Sequence, residues 1–195
     1  MRICVYGAAS NNICESYKTA VEELGRKLAD RGHSLVYGAG ANGLMGAVAR
    51  GVYEKKGEII GVVPSFFNVD GVLFPNCTEL IKTKTMRERK QIMEDNADAF
   101  IMVPGGIGTY DEFFEILTLK QLKQHKKPVA IFNVNNYYNE MDKMMQKAVS
   151  EGFVSKPTIY LYEIIDDIDE IFDYIENYQS IDFDVSEVRN AGDGE

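Results

Sequence analysis

Short apolar runs rich in Val and Ile recur along this chain, and each is followed by a stretch with helical spacing. The runs are Arg2–Tyr6, Ser34–Tyr37, Glu58–Pro64, Ala99–Val103, Pro128–Asn133 and a weaker Thr158–Leu161. Most are nearly continuous in apolar residues, as expected of strands covered on both faces. Between them, apolar periodicity predicts helices near 13–31, 43–56, 85–96, 109–124, 137–150 and 167–178. This alternation predicts an α/β fold, a Rossmann-like doubly wound parallel sheet with helices on both faces. Such sheets gather their ligands at the carboxyl ends of the strands.

A chain of 195 residues, 45% of them hydrophobic, suits one core. No internal repeat and no Pro/Gly/Ser-rich linker divides it, so residues 1–179 read as a single domain. Residues 180–195 (SIDFDVSEVRNAGDGE) lose helical periodicity and read as an acidic, solvated tail. The formal net charge of −9 is unevenly spread. Glu163–Glu195 holds 12 acidic residues and one basic residue, which leaves residues 1–162 at +2. Long nucleic acid and anionic membranes are poor partners for such a chain, whereas the nearly neutral body leaves room for one small anion. No stretch approaches the roughly 18 apolar residues of a bilayer span, and MRICVYGAAS reads as a first strand instead of a signal peptide. Cys4, Cys14 and Cys77 lack CxxC spacing, and with only His33 and His125 beside them they form no zinc set. No metal is expected, and the compartment is expected to be the reducing cytoplasm.

Four constellations carry chemistry. Pro104–Glu112 (PGGIGTYDE) follows the run AFIMV. Gly105 and Gly106 permit a sharp turn, and the helix behind them supplies the positive end of its dipole, so the segment suits a phosphate. The same spacing also fits a capping box, with Thr109 as N-cap and Glu112 reaching back to it. Thr83–Lys90 (TKTMRERK) places Met86, Arg89, Lys90 and Met93 on one helical face, able to hold a phosphate and brace a purine, or to remain a solvated basic face. Val36–Gly46 (VYGAGANGLMG) spells G-x-G-x-x-G at Gly38, Gly40 and Gly43, with Glu58 beyond. That is a weak dinucleotide fingerprint, because it follows the second strand instead of the first. Tyr6–Asn12 (YGAASNN) offers Ser10 and Asn12 to a ligand, or simply caps a helix through Ser10 or Asn11.

In their order and placement, YGAGANGLMG, MRERK and PGGIGTYDE resemble the lonely guy (LOG) family over about residues 2 to 178. Its members are cytokinin riboside 5′-monophosphate phosphoribohydrolases, and many carry the older description lysine decarboxylase-like. The resemblance implies the Rossmann-like sheet, no cofactor, and a homodimer with active sites near the subunit interface. It implies a catalytic pair at Arg89 and Glu112, and contacts to an AMP-like nucleotide from Ser10, Met86, Lys90, Gly105, Gly106, Gly108 and Thr109. Three departures stand out: the first loop reads A-A-S-N-N where the family usually has G-S-S-x-G, Ala39 replaces the middle glycine of Y-G-G-G, and Arg87 replaces the histidine of M-H-E-R-K.

The implied reaction is hydrolysis of the N-glycosidic bond of AMP or an N6-substituted AMP to free base and ribose 5-phosphate. The alternative is a non-catalytic carrier of a nucleotide or of a molybdenum-cofactor-like ligand, in which Glu112 is only a helix cap. A pyridoxal phosphate decarboxylase would need a Schiff-base lysine in a recognisable context, and none stands out.

Overall fold

The structure, a computed structural model, describes residues 1–67 and 71–180. In chain order its elements are β1 (Arg2–Tyr6), α1 (Glu15–Asp30), β2 (Ser34–Tyr37), α2 (Gly43–Glu54), β3 (Ile59–Pro64), β4 (Glu79–Thr83), α3 (Met86–Asp95), β5 (Ala99–Met102), α4 (Ile107–Gln121), β6 (Val129–Phe132), α5 (Asn139–Ser150), β7 (Glu163–Ile165) and α6 (Ile168–Glu176). All strand pairs are parallel, in the order β4-β3-β2-β1-β5-β6-β7. The chain winds outward from β1 to β4, then returns to β5 on the other side of β1 and winds outward again. The order therefore reverses between β1 and β5, where an open α/β sheet leaves its ligand crevice.

The alternation of side chains along each strand builds two cores. Ile3 and Val5 of β1 face Val21, Leu24, Leu44, Val48 and Phe172 from α1, α2 and α6. Cys4 and Tyr6 face the other way, with Met93, Phe113, Ile116 and Met141 from α3, α4 and α5. Burial on both faces explains the unbroken apolar runs of the inner strands.

The structure corrects several expectations. Among the described residues there are seven strands, and two of them, β4 and β7, were not among the six runs recognised. Strand β4 is an edge strand whose Glu79, Leu80 and Lys82 are exposed, so it shows no continuous apolar run. Thr158–Leu161 is not a strand: Lys156–Tyr160 forms a 3-10 turn, and β7 begins at Glu163. Helix α4 starts at Ile107 with Gly106 as N-cap, and α1 starts at Glu15 with Cys14 as N-cap. Neither Thr109 nor Ser10 nor Asn11 therefore caps its helix. Of the expected acidic tail at 180–195, residues 181–195 lie outside the described residues. Among the described residues, no helix is long and apolar enough to cross a membrane, and no three His, Cys, Asp or Glu side chains group as metal ligands.

Candidate active site

A cavity of about 620 Å³ opens at the carboxyl ends of β1, β2 and β3 and is closed by α3 and α4. Ala9 and Ser10 come from the loop after β1, Gly38 and Gly40 from the loop after β2, and Met45 from α2. Val63, Pro64 and Phe67 come from the end of β3 and the turn beyond it. Met86 and Arg89 project from α3, and Gly106, Gly108, Thr109 and Glu112 from the start of α4.

Helix α3 aims Arg89 because its start is fixed. Thr85 is the N-cap and its hydroxyl accepts the Glu88 N–H at 3.1 Å, while the Glu88 carboxylate accepts the Lys84 N–H at 2.6 Å. Thr85 and Glu88 thus close the start of α3 much as a capping box does, except that the carboxylate takes the N–H one residue before the cap. Thr109 and Glu112 do not close α4 in this way. Arg89 lies one turn further in, 7% exposed. Its Nε donates to the Val62 carbonyl at 3.2 Å and its Nη1 to Glu112 Oε1 at 2.7 Å. The guanidinium sits where residue 38 leaves room for it, since a Cβ there would collide with Arg89 Nη2 and force the guanidinium to move. Glu112 sits in the second turn of α4 with its side chain 12% exposed. Burial pushes its carboxyl above the ordinary value, and the Arg89 guanidinium offsets part of that rise. The result is a carboxylate–guanidinium pair largely removed from water, at the wall of a cavity and not at a helix cap.

The start of α4 lies beside this pair with its amides open. Gly106 caps it without a side-chain hydrogen bond, and the first return bond is from the Tyr110 N–H to the Gly106 carbonyl at 3.0 Å. The N–H groups of Ile107, Gly108 and Thr109 therefore precede any helical acceptor and carry the positive end of the dipole. Thr109 is buried, with its side chain against Gly105.

Of the residues expected to bind, Ser10, Met86, Gly106, Gly108 and Thr109 line the cavity together with Arg89 and Glu112. Gly105 lines a smaller adjoining cavity of about 240 Å³ with Ser10, Gly106 and Tyr137. Lys90 lines neither: its ammonium bridges α3 to α4 through Asp111 at 3.1 Å and Glu115 at 2.5 Å. Sequence reasoning placed Gly38 in a dinucleotide fingerprint and not beside Arg89, and it did not find the Val62 carbonyl or the apolar wall of Met45, Val63, Pro64, Phe67, Val72 and Leu73. The wall depends on residues 72–74 bridging back to 39–41, with Ala41 N–H to Val72 O at 2.8 Å and Phe74 N–H to Ala39 O at 2.9 Å.

The G-x-G-x-x-G segment does not offer a dinucleotide site. The N-terminal amides of α2 are already consumed: Gly43 N–H donates to Asn11 Oδ1 at 3.1 Å, and Leu44 and Met45 N–H to the Ala8 carbonyl at 2.8 and 3.2 Å. Glu58 lies before β3 and accepts the Ser34 hydroxyl at the amino end of the sheet, opposite the cavity. No lysine lines the cavity, and Lys120, the one buried lysine among the described residues, donates to the Leu161 carbonyl at 2.7 Å. These residues do not fit a pyridoxal phosphate Schiff base.

Residues 45–175 match the family model described as "Possible lysine decarboxylase". A probable cytokinin riboside 5′-monophosphate phosphoribohydrolase of Oryza sativa subsp. japonica is 42% identical over 80% of this chain, a match that spans 63% of that relative. A second one from the same plant is 36% identical over 91% of this chain and 84% of its own length. A cytokinin riboside 5′-monophosphate phosphoribohydrolase of Arabidopsis thaliana is 37% identical over 91% and 83%. Among solved structures, the molybdenum cofactor binding protein of Rippkaea orientalis superposes with a TM-score of 0.70 at 19% identity, covering 90% of this chain and 94% of its own. The molybdenum cofactor carrier protein of Chlamydomonas reinhardtii gives 0.67 at 21% identity, covering 90% and 95%. Identities this low establish the shared fold alone.

Proposed function

The chain belongs to the family described as possible lysine decarboxylases, the LOG-type phosphoribohydrolases, and from that membership we propose that it hydrolyses the N-glycosidic bond of AMP or an N6-substituted AMP. It is then an enzyme, a hydrolase acting on N-glycosyl bonds, and residues 1–179 act as one nucleotide-binding and hydrolysing domain. The observation that carries this reading is the buried 2.7 Å pair of Arg89 and Glu112 beside the uncapped start of α4.

The chemistry follows from where charge develops. Breaking the bond between C1′ and the base nitrogen leaves positive charge on the ribose ring, as in glycoside hydrolysis. The α4 amides, with Gly105, Gly106, Gly108 and Thr109, hold the 5′-phosphate and so fix the sugar. Glu112, six residues beyond Gly106, faces the ribose as a carboxylate. It stabilises the cation and takes a proton from the water that adds to C1′. The departing base nitrogen takes up a proton, balanced by the one that Glu112 receives from water, so the base leaves as the free purine and the sugar as ribose 5-phosphate. Arg89 favours the ionised form of Glu112 against the effect of its burial and orients the nucleotide. Met86 packs on the purine, Ser10 contacts the nucleotide, and Lys90 acts by tying α3 to α4. The reaction needs no metal or organic cofactor.

A homodimer goes with this reading. Phe67 and Met86 of the cavity lining, and their chain neighbours Phe66 and Ile107, are exposed apolar side chains, and Ile107 is 89% exposed. A second subunit would cover them; sedimentation at the mass of one chain would refute this. A cytoplasmic setting also suits it, since Cys4, Cys14 and Cys77 are free thiols. The carrier reading shares only its fold with the two molybdenum-cofactor proteins and is the weaker. Incubation with AMP and with N6-isopentenyl-AMP, followed by chromatography of the base, tests the proposal. Release of base from either supports it, and release from neither refutes it.

A further inference from the structure

Three successive carbonyls at the end of β5 are each held by a different neighbour. Tyr138 Oη donates to Val103 O at 2.8 Å, the Ala8 N–H donates to Pro104 O at 3.1 Å, and Tyr137 Oη donates to Gly105 O at 2.7 Å. The two phenols thus continue the hydrogen-bonding edge of β5 beyond the point where β6 has ended. They can do so because the loop after β6 is bent for it. Asn135 and Asn136 both have left-handed φ, 52° and 60°, and Asn133 Oδ1 accepts the Tyr138 N–H at 2.8 Å. Left-handed pairs of non-glycine residues are costly and are kept where the surroundings require them. The Tyr137 ring is fixed edge-on against Tyr17 of α1 at 6.1 Å and Tyr138 at 4.9 Å.

Gly105 O is the consequential acceptor. In a trans peptide the carbonyl of one residue and the N–H of the next point in opposite directions. Fixing the Gly105 carbonyl on Tyr137 therefore fixes the Gly106 N–H on the other side. Two glycines flank that peptide, and nothing lies within 4 Å of where a Gly106 Cβ would stand, so sterics alone do little to resist its rotation. We propose that Tyr137 is a positioning residue: its hydroxyl locks the Gly105–Gly106 peptide so that the Gly106 N–H faces the nucleotide's 5′-phosphate. The inference rests on the phosphate reading of the α4 start given above.

The test compares wild type, Tyr137→Phe and Tyr17→Phe with whichever of AMP and N6-isopentenyl-AMP the wild type hydrolyses. Tyr137→Phe keeps the ring and removes only the donor. It raises KM about tenfold, the scale of one lost hydrogen bond, while kcat stays within about twofold of wild type by the same scale. Inhibition by ribose 5-phosphate, which carries the phosphate, weakens in parallel, and inhibition by adenosine, which lacks it, is unchanged. Tyr17→Phe, which leaves the Gly105 bond intact, behaves as wild type. An unchanged KM in Tyr137→Phe overturns the assignment, as does equal weakening by adenosine, which would indicate a general distortion of the cavity. Absence of hydrolysis by the wild type is a different result: it refutes the phosphoribohydrolase reading itself, and this inference with it.

Discussion

Arg89 and Glu112 come from motifs 23 residues apart, and each restrains the other's chemistry. Without the guanidinium, a carboxyl as buried as Glu112 would favour its neutral form. Without the carboxylate, Arg89 would be a buried cation satisfied only by the Val62 carbonyl. Gly38 supports both by leaving space for Nη2. Gly38→Ala is therefore expected to lower kcat/KM at least tenfold, about 1.4 kcal/mol of transition-state stabilisation. A steady-state assay with either nucleotide checks this, and wild-type kinetics would show that the guanidinium tolerates displacement. The motifs M-x-x-R-K and P-G-G-x-G-T-x-x-E made Met86, Arg89, Gly106, Gly108, Thr109 and Glu112 legible as neighbours in one site. They did not make the state of Lys90 legible. Its pairing with Asp111 and Glu115 depends on how closely α3 approaches α4, which no local spacing encodes.

The starts of the three helices around the cavity are used in three different ways. Helix α3 is closed by its own Thr85 and Glu88, α4 is left open at Gly106, and α2 is closed by the loop after β1. The sequence showed Gly-rich turns before α2 and α4 alike, and only the contacts of Asn11 and Ala8 separate the filled start from the open one. The altered first loop, A-A-S-N-N, thereby acquires a structural role, since Asn11 Oδ1 accepts the Gly43 N–H and its Nδ2 donates to Asn42 Oδ1 at 3.1 Å. Gly43 itself has φ +59°, and a Cβ there would strike the Ala8 and Ser10 carbonyls. Asn11→Ala removes a cap and is expected to cost about 1 kcal/mol of stability. Denaturant unfolding measures this, and an unchanged midpoint would mean that water replaces the cap at no cost. Strand β4 was not legible for a related reason: an edge strand carries one partner and one solvated side, which erases the apolar run that identifies inner strands.

Strand–helix alternation sufficed to give the architecture, because burial of a parallel sheet on both faces is written into the composition of every inner strand. The architecture in turn places the site. Reversal of strand order between β1 and β5 brings the loop after β1 against Pro104–Gly106, and α3 and α4 then deliver Arg89 and Glu112 to the same crevice. Residues scattered from Gly7 to Glu112 become one cavity through topology, which a linear pattern does not display. The proposed reaction depends on Glu112 as a carboxylate at that point, and Glu112→Gln alters it while leaving an oxygen for Arg89. The decisive measurement is release of free base and ribose 5-phosphate from AMP and N6-isopentenyl-AMP by wild type and Glu112→Gln, with nucleotide binding followed in parallel. Stoichiometric base and ribose 5-phosphate from the wild type, with turnover reduced by about 100-fold or more and binding retained in Glu112→Gln, is the predicted result. Turnover by Glu112→Gln at the wild-type rate, or none by the wild type on either nucleotide, would contradict it.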